Sequence, residues 1–353
     1  MEAKNYTSIF MVLLITLSLK MHAQNVTIPD ANFKNALVEL GVDTNEDNEI
    51  QVNEAADYTG VAGSMSLSNR NISDITGIEA FVNITELYCN NNNITSLDIS
   101  GNTSLLNLFC YNNQLTTLNV SNNPNLEILQ FYNNQLSAID VSNNTVLYDL
   151  NGNDNLLTSV DFTNNTALTN LNLSNNQLTS VDLSNNSILS GISIAGNALT
   201  SLDFSSITTL TVVDCSNNNL SALNVANGNT AALNIFFAQG NLNLSCIQID
   251  EGVSPGFLWM KDDTAEYSID CESLSVDYVD SNRVKIYPNP VSDVLQISSH
   301  TGFDMVRIYD TTGKEVLTSD YAKTVDVSHL IKGIYFIKVF TNGSTYYQKI
   351  IKK

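Results

Sequence analysis

Residues 43–54 read Asp-Thr-Asn-Glu-Asp-Asn-Glu-Ile-Gln-Val-Asn-Glu. Oxygen-bearing side chains fall at the first, third and fifth positions, Asp43, Asn45 and Asp47. Glu49 at the seventh would offer its backbone carbonyl, and Glu54 at the twelfth is placed for bidentate ligation. This spacing lets a short loop wrap a hard cation in oxygen, and the expected ion is Ca2+. The alternative is a solvated acidic turn without an ion. Little else in the chain is equipped for chemistry. The three histidines are His22, His300 and His329, so the main body has no imidazole to serve as base or ligand. Paired carboxylates exist, and composition alone does not exclude a glycosidase. However, Asp140, Asp161, Asp182 and Asp203 recur at a fixed interval and read as parts of a repeat. The expectation is a protein that is not an enzyme.

The acidic loop resembles an EF-hand or dockerin loop. It departs from that pattern at Asn48, where the family usually has Gly, and Asn tolerates the left-handed backbone better than most residues. Just before it, Phe33, Leu37 and Leu40 fall at helical spacing behind Asp30, a suitable N-cap.

Charge divides the chain. Of 353 residues, 15 are Lys or Arg and 36 are Asp or Glu, for a net charge of −21. Residues 24–282 hold 3 basic against 29 acidic residues, whereas residues 283–353 hold 10 against 6. An acidic body disfavours nucleic acid and anionic membrane as partners, because both need a basic surface. At the N-terminus, Lys4 precedes an apolar run from Ile9 to Leu19, and Ala23 follows at a cleavage position. Residues 1–23 thus read as a secretory signal peptide, with an uncleaved anchor as the alternative. The run is shorter than the roughly 20 residues that span a bilayer, and no later segment qualifies, so no transmembrane segment is expected after cleavage. Export places the thiols in an oxidising compartment.

The body repeats. Asn occupies positions 92, 113, 134, 155, 176, 197 and 218, 21 residues apart, and Asn241 follows after 23. Around each, apolar residues recur, as in Leu168, Leu171, Leu173, Asn176, Leu178, Val181, Leu183 and Asn186. A degenerate first turn uses Met65, Leu67, Ile72, Ile75 and Ile78, with Arg70 in place of the Asn. Each unit carries an apolar stripe that it cannot bury alone, and stacking units buries the stripes in one core. The Leu-x-Leu segments are short strands that make a parallel sheet. The Asn ladder turns inward and satisfies buried backbone groups, and Asn102, Asn123, Asn144, Asn165 and Asn186 mark a second ladder. The opposite face is expected to be extended rather than helical. Gly152 looks like a weak rung, standing where other units place larger residues. This pattern resembles the leucine-rich repeat family over residues 62–245. The fold expected is mostly β: a leucine-rich-repeat solenoid with a parallel sheet, a short helical N-terminal cap over residues 24–61, and a small C-terminal β-sandwich.

Cys89, Cys110 and Cys215 fall at inward strand positions and read as buried apolar residues; Cys89 and Cys110 are one rung apart and could also pair. Cys246 and Cys271 flank an irregular segment after the last repeat. They read as a capping disulfide within residues 246–271, with Trp259 and Phe257 covering the last rung. Two unpaired thiols are the alternative.

A polar linker, residues 272–283, leads to short alternating strands at 284–287, 294–298, 304–309, 315–319, 323–327, 333–340 and 344–351, separated by turn signals. Seven such strands suggest a small β-sandwich. The run from Val284 to Ile297, with its Tyr-Pro-Asn-Pro centre, resembles the start of a type A C-terminal sorting domain of the type IX secretion system. Residues 308–316, 330–339 and 349–353 are similar to its later motifs. The resemblance covers residues 284–353. It implies type IX machinery as a partner, a source in the Gram-negative phylum Bacteroidota, a secreted or cell-surface location, and removal of the tail at the surface.

The functional expectation is a surface binding or adhesion protein that recognises a protein or glycan through the repeat sheet. A passive structural spacer is the alternative. Outward positions of the first sheet strands carry Tyr88, Phe109, Tyr111 and Tyr132, aromatics from three adjacent units. Exposed together they would form a contact patch; stacked only on each other they would merely stabilise the sheet.

Overall fold

The computed structural model describes residues 24–271, 284–299, 303–320, 323–341 and 344–353. Residues 1–23, expected to be a signal peptide, the whole expected linker at 272–283 and His300 lie outside the described residues. The chain divides into two compact units, Met1–Ile269 and Asp270–Lys353.

The first unit opens with a cap of two helices, α1 (Ala31–Glu39) and α2 (Val52–Asp57). Asp30 starts α1 as expected, its Oδ1 accepting the N–H groups of Asn32 and Phe33 at 2.8 and 3.0 Å. Its Oδ2 accepts from the backbone and hydroxyl of Ser73, both at 2.8 Å, and so ties the helix to the first turn of the body. Burial works to raise the Asp30 pKa, but these donors outweigh it and hold the carboxyl at about 2. Phe33, Ala36 and Leu37 form the buried face of α1.

The body is a parallel-sheet solenoid of about ten turns. Its main sheet has ten strands: β1 (Ser64–Ser66), β2 (Glu86–Tyr88), β3 (Asn107–Phe109), β4 (Ile128–Gln130), β5 (Asp149–Asn151), β6 (Asn170–Asn172), β7 (Gly191–Ser193), β9 (Val212–Asp214), β11 (Ile235–Phe237) and β13 (Trp259–Met260). Each pairs in register with the next, so Leu87, Leu108, Leu129, Leu150 and Leu171 stack in one buried column. Fully burying each such side chain is worth roughly 1.5–3 kcal/mol. A second parallel sheet of β8 (Ser201–Asp203), β10 (Ala222–Asn224), β12 (Cys246–Gln248) and β14 (Glu266–Ser268) lines the opposite face of the later turns. In the earlier turns that face carries no α-helix, only a short 3-10 turn at Ile78–Ala80, and it forms no ladder among the described residues.

The inward asparagines do the expected work. Asn134 Oδ1 accepts the Leu115 N–H at 2.9 Å, while its Nδ2 donates to the carbonyls of Cys110 and Phe131 at 3.2 and 2.9 Å. Asn92, Asn113, Asn155, Asn176, Asn197, Asn218 and Asn241 repeat this pattern. In the second ladder, Asn123 and Asn144 donate to carbonyls one turn back, Asn102 and Asn123 among them. A third column sits at the tight turn, where Asn91, Asn112, Asn133, Asp154, Asn175 and Asn217 take φ of +52° to +56°. Asn and Asp tolerate this left-handed region, which β-branched residues avoid.

Two expectations need correction. Gly152 is not a weak rung: the Phe131 ring fills its space, and a Cβ at Gly152 would lie 2.3 Å from that ring's Cζ. Phe257 does not cover the last rung, being 98% exposed. It follows Gly256 in a turn just before β13, and Trp259 alone reaches back, its Nε1 donating to the Leu233 carbonyl at 2.9 Å and its ring 5.4 Å from that of Phe236. Cys89, Cys110 and Cys215 are buried free thiols, and Cys246 and Cys271 are disulfide-bonded.

The second unit forms two antiparallel sheets. One holds β15 (Val284–Tyr287), β16 (Val294–Ser299) and β19 (Thr324–Asp326). The other holds β17 (Met305–Tyr309), β18 (Glu315–Asp320), β20 (Gly333–Thr341) and β21 (Ser344–Lys352). Ile286, Leu295 and Val325 from the first share a core with Val306, Ile337 and Ile350 from the second. Among the described residues no helix is long and apolar enough to cross a membrane.

The Phe131–Gly152 pair gives a stability test. Gly152→Ala should cost about 1–3 kcal/mol in urea unfolding through overpacking. Adding Phe131→Leu should recover much of that loss. A neutral Gly152→Ala would show that the ring does not depend on that space.

Candidate functional site

Tyr88, Phe109, Tyr111 and Tyr132 do come together on the main sheet. Because β2 and β3 pair in register, the Tyr88 and Phe109 rings stack with centroids 4.4 Å apart and planes 7° from parallel. Tyr111 and Tyr132 stack one position further along, at 4.2 Å and 8°. Phe109 and Tyr111 are two residues apart on one extended segment, so the two stacks stand side by side, roughly 7 Å apart. All four rings are half-buried rather than fully exposed. Stacking covers one face of each ring. The Tyr88 hydroxyl donates to Glu86 at 3.2 Å. Burial first, and then the Glu86 carboxylate, raise the Tyr88 pKa; burial first, and then the Tyr111 hydroxyl, raise that of Tyr132.

Beyond these rings the outward surface of the sheet changes character. Later strands present Asn151, Asn172, Ser193 and Gly191, small or polar groups with little contact area. The two ring stacks therefore occupy one end of the sheet, and the half-buried Phe237 on β11 stands apart from them. Sequence reasoning missed Asp149, the half-buried outward residue that opens β5. Its column was visible in the register of the repeats, but its burial was not.

The acidic loop at residues 43–54 has a left-handed turn at its sixth position. Asn48 adopts φ +65°, the conformation usually given to Gly at that position. Asp43 accepts the N–H groups of Asn48 and Asp47 at 2.8 and 3.2 Å, and Asn45 also accepts the latter at 2.9 Å. Asp47 accepts the Glu49 N–H at 2.9 Å and the Gln51 side-chain amide at 3.0 and 3.1 Å. These donors, the Glu49 N–H first, hold the Asp47 carboxyl below its usual range. Glu54 sits in the first turn of α2, where it closes a capping box by accepting the Gln51 N–H at 3.0 Å. Its other oxygen accepts from Thr44, N–H at 2.8 Å and hydroxyl at 2.7 Å. The Glu49 carboxylate pairs with Lys34 at 2.7 Å, leaving its carbonyl as the group suited to a cation. Among the described residues no three His, Cys, Asp or Glu side chains gather into a metal-holding group. The donor set and the turn fit a hard cation, because a carboxylate oxygen that accepts one N–H keeps a second lone pair. Ligation by Asp47 and Glu54 would have to compete with the Gln51 amide and Thr44.

The recurring aspartates are structural. Asp140, Asp161, Asp182 and Asp203 each accept the N–H of the residue two positions on, at 2.9–3.0 Å. Such turns explain their spacing without catalysis. The buried thiols are equally unsuited to chemistry, since burial pushes Cys89 up to about 12.

No curated protein matches the chain in sequence. Among solved structures, it is similar to internalin C2 of Listeria monocytogenes at 20% identity, over 65% of this chain and 98% of that one, with a TM-score of 0.52. It also matches the functional domain of InlJ from Listeria monocytogenes, which includes a cysteine ladder. That match is 19% identical over 94% and 100% of the two chains, with a TM-score of 0.35. A leucine-rich-repeat protein of Leptospira interrogans matches at 18% identity over 58% and 70%, with a TM-score of 0.43. The first of these shows a leucine-rich-repeat-like solenoid fold. Residues 285–353 match the family described as the secretion system C-terminal sorting domain. The chain therefore joins a leucine-rich-repeat-like solenoid to a type IX sorting tail, the organisation of a secreted or cell-surface protein.

Proposed function

We propose that this is a non-enzymatic surface binding or adhesion protein, recognising a protein or glycan through the aromatic end of its main sheet. The observation that supports this most is the pair of ring stacks formed by Tyr88, Phe109, Tyr111 and Tyr132, half-exposed on a rigid sheet. Aromatic side chains fixed in this way offer contact area at low entropic cost. The same stacking favours a second reading, a spacer whose rings only reinforce the sheet. A binding screen of residues 24–282 against surface proteins and glycans separates the two. Changing Tyr111 and Tyr132 together to Ala should weaken a partner by over about 1 kcal/mol, as hot-spot aromatics do, with the fold intact. If every partner found binds the double variant as tightly as wild type, the spacer reading prevails.

The tail resembles type A sorting domains, which supports export through the type IX system of a Bacteroidota cell with removal of residues 284–353 at the surface. The two units have separate cores, so the solenoid should fold without the tail. Deleting residues 284–353 should leave a folded protein in the periplasm. Recovery of the truncated protein at the cell surface would contradict this.

Calcium at Asp43, Asn45, Asp47, the Glu49 carbonyl and Glu54 would serve to order the N-terminal cap. A ligand that binds only the folded state stabilises it by mass action, about 2.7 kcal/mol at a hundredfold excess over Kd. Calcium should raise the melting temperature of wild type but not of Asp43→Ala. An unchanged wild-type melting curve in saturating calcium would exclude the site.

A further inference from the structure

The outward face of the main sheet carries acid without a local counter-charge. Glu86, Glu127 and Asp149 lie on or beside β2, β4 and β5, and no Lys or Arg occurs between Arg70 and Lys261. Asp149 differs from the other aspartates of the body. It stands in register between Ile128 and Asn170, half-buried. Its carboxylate makes no hydrogen bond or ion pair among the described residues, whereas Asp140 and Asp161 are each tied to a turn N–H. Burial alone acts on it and raises its pKa, as expected of a carboxylate that loses water without gaining a donor. Such a group gains most from a cationic donor arriving from outside. Strand spacing and rise place it roughly 12–14 Å from the ring stacks, the reach of about four extended residues.

We propose that this face takes an extended polypeptide bearing Lys or Arg, with the cationic group on Asp149 and neighbouring apolar or aromatic side chains against the two ring stacks. The inference rests on the sheet-face reading above and narrows its ligand from protein or glycan to a cationic polypeptide. Charge complementarity supports that choice, because a body with this excess of acid attracts positive partners and repels negative ones.

The test titrates residues 24–282 with labelled peptides Trp-Gly-Tyr-Gly-Gly-Xaa-Gly-Xaa, in which Xaa is Lys, Gln or Glu, and with chitohexaose. At about 50 mM salt the Lys peptide should bind about tenfold tighter than the Gln peptide, and this preference should shrink at about 300 mM. Asp149→Asn should remove the preference while leaving the melting curve and the Gln-peptide affinity unchanged. Equal affinity for the Lys and Gln peptides, or a Lys preference that survives Asp149→Asn, overturns the cation seat, as does a lack of binding by every probe. Binding of chitohexaose, with no Lys preference among the peptides, that is lost with Tyr111→Ala and Tyr132→Ala but untouched by Asp149→Asn overturns this inference and leaves the sheet-face reading standing. Asp149-dependent Lys binding that is indifferent to the ring variants overturns the aromatic half of the proposal.

Discussion

Each turn of the solenoid carries backbone N–H and C=O groups into an apolar interior, and the inward asparagine of that turn is what meets them. Asn134 shows the arrangement: one side chain accepts an N–H from the preceding turn and donates to one carbonyl on that turn and one on its own. Left unpaired, each such buried group would cost about 1–3 kcal/mol. Because the amide links one turn to the next, it also fixes register, and register sets every outward column of the sheet. Stacked leucines supply most of the burial energy, but a leucine column alone would not say which turn faces which.

This rigidity frees the outside of the sheet. Residues between the inward leucines face solvent and can change without disturbing the core. The stacked aromatic pairs lie where β2 to β4 pair, and the carboxylates there lack basic neighbours, so one end of a regular scaffold differs chemically from the rest. A lattice with repeated backbone geometry thus presents a non-repeating surface, which recognition requires.

Much of the fold was legible because the constraint is periodic. The eight asparagines and their flanking leucines located the turns, and the change from a 21-residue period to short alternation located the tail. All seven tail strands fall within a residue or so of their expected bounds. What sequence could not convey was compensation between side chains. Gly152 reads as a gap until the Phe131 ring is seen to occupy it. Phe257 reads as a cap until its turn points it to solvent, leaving Trp259 to cover Phe236. The same limit applied at the candidate site. Register predicted that the four aromatic rings would lie together and raised stacking on each other as one of two arrangements, but did not decide that they pair face to face. The half-burial of Asp149 depends on neighbours from adjacent strands that no local pattern specifies.

The claim that the inward amide sets both stability and register is tested most directly at Asn134. Urea unfolding of Asn134→Ala, followed together with amide hydrogen exchange, reads both properties. The account predicts a loss of about 1–3 kcal/mol from the orphaned backbone groups. It also predicts that protection falls first at the Leu115 N–H, which the Asn134 oxygen normally accepts. Wild-type stability with unchanged protection at Leu115 would contradict it, and the leucine columns would then have to hold the register by themselves.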